Sequence, residues 1–409
     1  MRESWTSGTL RSLRHRNFRL LLFGALLSSS GDFMQNIAQS WLVWQLTRSP
    51  FLLGVVSFFD TLPRLLFGAL GGAIADRFDR RRLLMITQTL AMAQAFVYWF
   101  AVYFHFIVFW HIVVLAFLLG AVNTLNQLAR QSLVNSLVPR EELFNAIALQ
   151  SSVFNLSKIL GPSAGGILIA LVGIAGCFFI NAVSFLALIF TLFMMELPPW
   201  EAPSRKAGIW SEIKEGYAYL RSNRRLFSIV WLSYILALVG APYTRFLPMF
   251  ATNILHVGPS GFGLLMAAPG IGATASALGL ASMGGFRPGI LWICSCALGF
   301  ALFLSLFAFS HSFIFSMVML ALVGFCFIAF RASANTAIQS ETPQNLLGRV
   351  LSLFFMDRGL WSLGGLLIGS SASVIGIDWT LAVSAVICAA AAGGLLFVTG
   401  RYPVKRNGG

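Results

Sequence analysis

Residues 71–84 read GGAIADRFDRRRLL, and they place six charged side chains in the seven positions from Asp76 to Arg82. The chain as a whole is apolar, since only 10% of its 409 residues are charged and 57% are hydrophobic. A charge near the centre of a bilayer costs about 2.5–3.5 kcal/mol on insertion scales. We therefore interpret this stretch as a short loop that joins two membrane-spanning helices and faces the cytoplasm.

Apolar segments of about 20 residues, the length of a helix that crosses a bilayer, recur along the whole chain. The mean hydropathy is +0.80, and a soluble protein of this length would need far more polar surface. The predicted spans are 18–44, 51–75, 83–104, 107–129, 145–171, 175–196, 226–252, 260–281, 288–309, 313–335, 350–373 and 378–400. This pattern predicts an all-α polytopic membrane protein with about twelve transmembrane helices.

The basic residues alternate between the two sides of the predicted membrane. With the N-terminus inside, 23 of the 28 Lys and Arg residues fall in cytoplasmic segments. Those segments are 1–19, 76–82, 130–140, 197–225, 282–288, 331–349 and 401–409. This bias follows the positive-inside rule and predicts that both termini are cytoplasmic. The net charge of +14 therefore reflects the orientation of the helices in the membrane and gives no indication of nucleic-acid binding.

The two halves of the chain are similar in sequence. A shift of 204 positions superposes SLVPREELFNAIAL (136–149) on SETPQNLLGRVLSL (340–353) and also aligns Gly161 with Gly365. We infer a six-helix bundle from 1–196, a linker from 197–225 and a second six-helix bundle from 226–409. Apolar residues at helical spacing in the linker predict an amphipathic helix on the inner membrane face. Paired repeats of this kind are typical of secondary transporters.

The charged loop resembles the loop signature of the major facilitator superfamily. The matching residues are Gly72, Asp76, Arg77, Arg80 and Arg81, whereas Asp79 stands where a glycine is common. The stretches 136–170, 179–190 and 241–251 are similar to a subgroup of bacterial enterobactin-exporter-like and macrolide-efflux-like proteins. The resemblance implies two pseudo-symmetric six-helix bundles in the membrane, with the first, fourth, seventh and tenth helices around a central cavity.

The resemblance also implies a role for the charged loop. Asp76 would accept hydrogen bonds from the first turn of the eleventh span, near Leu346 to Arg349, where the helix dipole favours an anion. The arginines would bind nearby acids and carbonyls, so that the loop acts as a conformational latch on the inner side. The alternative is that the arginines only fix the topology.

Two spans carry polar side chains on one face. The stripe in the first span covers roughly 100° of the helix surface and consists of Ser28, Asp32, Gln35, Asn36 and Gln39. The stripe in the fourth span consists of Asn123, Asn126, Gln127 and Arg130. Arg245 and Arg331 lie in the seventh and tenth spans. Asp32 is the leading candidate for a protonatable carboxylate that couples transport to protons, and the alternative is a structural Asp beside Gly31.

Further charges lie inside the spans. Asp60 and Arg64 are four residues apart and can pair along one helix face. Asp357 and Arg358 are adjacent, so their side chains point apart and need separate partners. These pairs are more often structural than substrate-binding, although several cations within the core suit an anionic or polar substrate.

The fifth span contains Lys158 and the sequence GPSAGG (161–166). This sequence resembles the fifth-helix signature of proton antiporters, and the matching residues are Gly161, Pro162, Gly165 and Gly166. Pro162 predicts a bend, and the glycines predict close helix packing. The resemblance implies export. Close packing of a bent helix is expected from the same residues whichever direction the substrate moves.

Other function classes lack support in the sequence. No G-x-x-x-x-G-K-[ST] loop occurs, so ATP is not expected to drive the protein directly. We expect no enzyme activity, no cofactor and no metal, and the five cysteines lie in apolar spans without a disulfide pattern. We expect a monomer of the bacterial inner membrane that exports a drug or siderophore-like molecule by proton antiport and alternating access. The alternatives are an importer or facilitator of a polar or anionic solute, and a receptor or assembly factor without transport.

Overall fold

Every regular element in the described part of the chain is a helix in the computed structural model, which describes residues 11–77, 79–196, 209–283 and 288–400. The helices are α1 Arg16–Thr47, α2 Pro50–Arg77, α3 Arg80–Tyr103, α4 Phe109–Leu137, α5 Leu143–Phe193, α6 Ile209–Ser222, α7 Arg224–Ile235, α8 Gly258–Ser282, α9 Ile290–Ala308, α10 Phe313–Glu341, α11 Gln344–Phe355, α12 Asp357–Ile375 and α13 Ile377–Gly400. The prediction of an all-α polytopic fold is confirmed.

Each predicted span overlaps one of these helices. Within the described ranges, nine helical segments are long and apolar enough to cross a membrane. The segment Asn145–Phe193 holds two predicted spans, because Gly173 with φ 73° interrupts the helical geometry of α5. Helices α1 and α2 carry the two spans that lie outside these nine segments.

The seventh predicted span is irregular after α7. Leu236–Gly240 and Phe250–Ile254 form π-helical turns, and Ala241–Phe246 forms a 3-10 turn between them. Pro242 and Pro248 contribute to this irregularity, because a proline has no backbone N–H to donate to the preceding turn. Arg245 therefore lies in a distorted part of its span, a position of the kind where functional sites often occur.

The chain divides into two units, and each takes most of its residues from one predicted half. Unit 1 comprises Met1–Arg48, Phe59–Arg205 and Val257–Ala267, and unit 2 comprises Ser49–Phe58, Lys206–His256 and Ala268–Gly409. A short segment of α8 thus packs within unit 1, where the rings of Trp41 and Phe262 stack at 5.4 Å. A short segment of α2 likewise packs within unit 2, where Gly54 contacts the backbone of Gly365. The division at the linker 197–225 stays a prediction.

Buried hydrogen bonds connect three helices inside unit 1. Ser28 Oγ on α1 donates to Gln88 Oε1 on α3 at 3.1 Å. Gln35 Nε2 donates to Gln94 Oε1 on α3 at 3.0 Å, and Asn181 Nδ2 on α5 donates to Gln35 Oε1 at 2.7 Å. Lipid tails cannot form hydrogen bonds, so these side chains bond to one another. Such bonds therefore select which helices pack together, a choice that apolar contact alone does not make in a membrane.

Close helix contact in unit 2 gives a stability prediction. A β-carbon on Gly272 of α8 would overlap the carbonyl oxygen of Ala321 on α10, whereas one on Gly279 of the same helix meets nothing within 4 Å. We expect Gly272→Ala to lower stability by about 1–3 kcal/mol, because backbone atoms of α10 must move. Thermal unfolding of the purified protein in detergent measures the effect. Gly279→Ala is the control, and equal midpoints for the two variants would contradict the packing argument.

Candidate functional site

A cluster of charged and polar groups joins α1 to α4 within unit 1. Arg130 Nη1 donates to Ser29 Oγ at 3.2 Å, and Arg130 Nη2 donates to Asn126 Oδ1 at 3.3 Å. The charges of Asp32 and Arg130 interact. Oδ1 of Asp32 is buried and has no hydrogen-bond partner among the described residues. The structure therefore brings together three residues that the two polar stripes predicted separately.

This arrangement allows specific chemistry. A buried carboxylate oxygen without a donor is costly, so a proton or a donor group of a ligand would stabilise it. The guanidinium of Arg130 binds Ser29, one turn before Asp32 on α1, and offsets part of the negative charge of Asp32. The cluster can therefore bind a proton or a polar group of a substrate.

The other residues of the two stripes differ in burial. The buried ones are Ser28, Gln35 and Gln39. The half-buried or exposed ones are Asn36, Asn123 and Gln127. Gln35 is already bonded to Gln94 and Asn181, and Asn36 Nδ2 donates to the backbone oxygen of Asp32 at 3.2 Å. A wide polar stripe thus faces several neighbours, since one face of a helix contacts more than one helix.

A second charge pair lies within unit 2. Arg331 on α10 pairs with Asp357 Oδ2 at the start of α12, and Ser233 Oγ on α7 donates to the same oxygen at 2.9 Å. The guanidinium lies 5.9 Å from the ring centroid of Phe327 and 5.5 Å from that of Phe354. The Asp357 side chain is 0% exposed and Arg331 16%, so the pair is shielded from water. Arg331 is therefore neutralised by a protein carboxylate.

The two clusters share a position of the sequence repeat. Ser29 and Ser233 are 204 residues apart, the same shift that aligns the two halves. Ser29 binds the arginine of its cluster, whereas Ser233 binds the aspartate of its cluster. Sequence reasoning missed these serines, although the repeat register was a signal that could have found them.

The remaining intramembrane charges have varied surroundings. Lys158 Nζ lies 4.8 Å from the ring centroid of Phe154, one turn earlier on α5. Arg64 Nε is buried without a hydrogen-bond partner among the described residues, and the predicted pairing of Arg64 with Asp60 stays a prediction. Asp357 pairs with Arg331 and not with the adjacent Arg358, as expected because adjacent side chains on a helix point apart. The side chain of Arg358 lies outside the described residues.

The GPSAGG sequence lies where α5 packs closely in unit 1. A β-carbon on Gly161 would collide with the carbonyl oxygen of Ser30 on α1. Gly166 and Gly263 of α8 face each other, so that a β-carbon on either would lie 2.7 Å from the α-carbon of the other. Pro162 lies inside α5 without ending it. These contacts match the close packing that the glycines predicted.

The charged loop is organised around Asp79. Its Oδ1 accepts hydrogen bonds from the backbone N–H groups of Arg81 at 2.8 Å and Arg82 at 3.2 Å, so Asp79 caps the start of α3. Arg80 donates to the carbonyl of Ser132, and Arg81 donates to the carbonyl of Phe193. Both bonds lie within unit 1. Gly72, Asp76 and Arg77 belong to α2, but their side chains lie outside the described residues, so the latch stays a prediction.

No metal centre accompanies these clusters within the described ranges, where no three side chains of His, Cys, Asp or Glu lie close enough to hold an ion. The five cysteines are free thiols.

Comparison with known proteins places these features in a family. A family model described as transmembrane secretion effector matches residues 7–406. The staphyloferrin A transporter of Staphylococcus aureus is 24% identical over 86% of this chain and 89% of its own length. The multidrug efflux pump Tap of Mycolicibacterium fortuitum is 27% identical over 88% and 90%. The enterobactin exporter EntS of Citrobacter koseri is 24% identical over 88% and 84%.

Solved structures show the same fold at low sequence identity. A bacterial homologue of the human lysosomal transporter Spinster superposes with a TM-score of 0.74 at 13% identity, covering 94% of this chain and 97% of that one. The nucleoside transporter NupG superposes with a TM-score of 0.71 at 15% identity, covering 94% and 99%. Together with the family match along nearly the whole chain, these findings identify an integral membrane protein that belongs to the transmembrane secretion effector family of the major facilitator superfamily.

Proposed function

We propose that this transporter exports a small molecule, of the drug or siderophore class, in exchange for protons. The observation that carries the proposal is the cluster of Asp32 and Arg130, in which one carboxylate oxygen is buried without a hydrogen-bond partner among the described residues. A group that must either bind a proton or bind substrate links the two fluxes, because both compete for the same oxygen.

The coupling follows from this competition. A substrate that donates a hydrogen bond to ionised Asp32 occupies the site from the cytoplasmic side. Protonation of Asp32 from the outer side removes the negative charge, and substrate is released. In alternating access the site opens to one side of the membrane at a time, so that each cycle carries protons inward and substrate outward.

The names of the relatives support export over import. Tap is named as an efflux pump and EntS as an exporter, whereas the staphyloferrin A protein is named as a transporter. These names describe two chemical classes, drugs and siderophores, and we propose that the substrate of this chain belongs to one of them. We further propose an inner-membrane location, cytoplasmic termini and a monomeric state.

Proteoliposomes under an imposed pH gradient test the proposal. The probes are enterobactin, staphyloferrin A and the cationic dye ethidium, and a pH-sensitive dye in the lumen reports proton movement. We expect at least one probe to accumulate against its gradient while protons move in the opposite direction. Probe flux without any response to the pH gradient would instead indicate a facilitator, and binding without flux would indicate a receptor.

A further inference from the structure

A basic residue stands at the N-terminal end of an exposed apolar face on α3. Arg82 is exposed, and its guanidinium has no hydrogen bond or ion pair among the described residues. Ile86 and Leu90 follow at intervals of four residues on the same helix face, and both are more than half exposed. The loop signature of the superfamily uses Arg80 and Arg81, so it leaves Arg82 without a role.

The second part of α5 runs antiparallel to α3 and continues this face. Arg81 Nη2 donates to the carbonyl of Phe193 at 3.0 Å near the start of α3. The rings of Phe96 and Phe179 meet at 6.1 Å towards the other end. Phe193 is 62% exposed and Phe190 is 65% exposed. The two helices therefore form a seam with exposed apolar side chains on both flanks.

Small residues bring the two helices close together along this seam. Ala91 and Ala95 of α3 and Ala182 of α5 are buried in one cluster with Phe185. Side chains as short as these let the backbones approach, and larger exposed residues lie on either flank. We call the surface formed by Arg82, Ile86, Leu90, Phe190 and Phe193 the α3–α5 seam.

The charges of the described residues around the seam do not cancel. Glu196 pairs with Arg16 at 3.3 Å, and the Asp79 carboxylate accepts backbone N–H groups at the start of α3. Arg80 and Arg81 donate to carbonyl oxygens, which carry no net charge. Among the side chains that the structure describes here, the three arginines 80–82 therefore outnumber the single carboxylate of Asp79. The excess positive charge at Arg82 is available to an anion.

We propose that the α3–α5 seam binds an anionic phospholipid of the cytoplasmic leaflet. The phosphate contacts Arg82, and an acyl chain lies along the apolar side chains of α3 and α5. The distance along α3 from Arg82 to Leu90 is about 12 Å at a rise of roughly 1.5 Å per residue, close to the thickness of one leaflet of hydrocarbon. Basic pockets at the cytoplasmic ends of transmembrane helices recognise anionic headgroups in this way. The inference rests on the proposed cytoplasmic location of the start of α3 but does not depend on proton coupling.

Native mass spectrometry of the delipidated protein in detergent, titrated with cardiolipin or phosphatidylethanolamine, tests the proposal. We expect Arg82→Gln to weaken cardiolipin binding about fivefold, the effect of one arginine near an anionic lipid surface, and to leave phosphatidylethanolamine unchanged. The matched control is Arg14→Gln, which removes an exposed arginine elsewhere in unit 1. We expect Arg14→Gln to bind cardiolipin like the wild type, and Arg82→Lys to retain most of the affinity.

Three results would overturn the proposal. Unchanged cardiolipin affinity in Arg82→Gln would show that the seam is not the site. Equal losses in Arg82→Gln and Arg14→Gln would show that only total positive charge matters. Displacement of cardiolipin by millimolar inorganic phosphate would show that the site takes a free anion and not a lipid. An unchanged thermal midpoint of Arg82→Gln ensures that a loss of binding reflects the seam and not unfolding.

Discussion

Asp32→Asn is expected to reduce substrate accumulation driven by a pH gradient to the level of protein-free liposomes. Asparagine keeps the size of the side chain but cannot gain or lose a proton at neutral pH. It also removes the charge that compensates Arg130. The variant is expected to retain downhill exchange at high substrate concentration, because the asparagine amide oxygen still accepts the hydrogen bond of the substrate, although more weakly than the ionised carboxylate does. Accumulation in proteoliposomes and substrate counterflow measure the two activities separately.

The control for this prediction is Asp378→Asn, the same substitution at the start of α13 in unit 2. We expect this variant to respond to the pH gradient like the wild type. Wild-type accumulation in Asp32→Asn would contradict the coupling role, and loss of both accumulation and counterflow would favour a structural role. Equal membrane expression of the two variants ensures that insertion is not the variable.

Asp357→Leu is expected to destabilise the protein by about 3 kcal/mol, since it leaves the Arg331 guanidinium shielded from water without a counter-charge. A buried ion pair contributes little net stability when intact, but breaking it on one side is costly. Ser233 would also lose the acceptor of its hydrogen bond. The thermal unfolding midpoint in detergent and the yield of folded protein measure this effect.

The double variant Arg331→Met with Asp357→Leu provides the control. Removing both charges leaves an apolar contact among Phe327 and Phe354, so we expect most of the lost stability to return. Equal destabilisation of the single and double variants would show that Asp357 acts through packing and not through its charge. Ser233→Ala is expected to cost only about 1 kcal/mol, the net contribution of one hydrogen bond.

The polar stripes show how far sequence reasoning reached into the site. The spacing of Asp32 on the first span and of Asn126 and Arg130 on the fourth predicted the residues that the structure brings together. The same spacing grouped Gln35 with them, yet Gln35 bonds to Gln94 and Asn181 on other helices. Helical periodicity shows on which face of a helix a residue lies, but it does not show which neighbouring helix that face contacts.

Two roles had weaker signals in the sequence. Asp79 was noted only as a departure from the usual loop signature, although an Asp immediately before a helical run is a typical N-cap and the structure shows it capping α3. The partner of Asp357 could not be deduced, because Arg331 lies 26 positions earlier on a different helix. Pairings across helices depend on packing that no local pattern encodes.

The sequence by itself determined the all-helical membrane class and the family. The cost of placing charges in hydrocarbon acts on each segment separately, so apolar length and charge position can be interpreted along the chain without knowing which helices touch. The tertiary structure alone decided that Arg331 pairs with Asp357, that Gln35 bonds to Gln94 and Asn181, and that α3 and α5 leave an exposed seam beside Arg82. These features arise where residues distant in sequence meet, and the energy of such a contact exists only once the helices have packed.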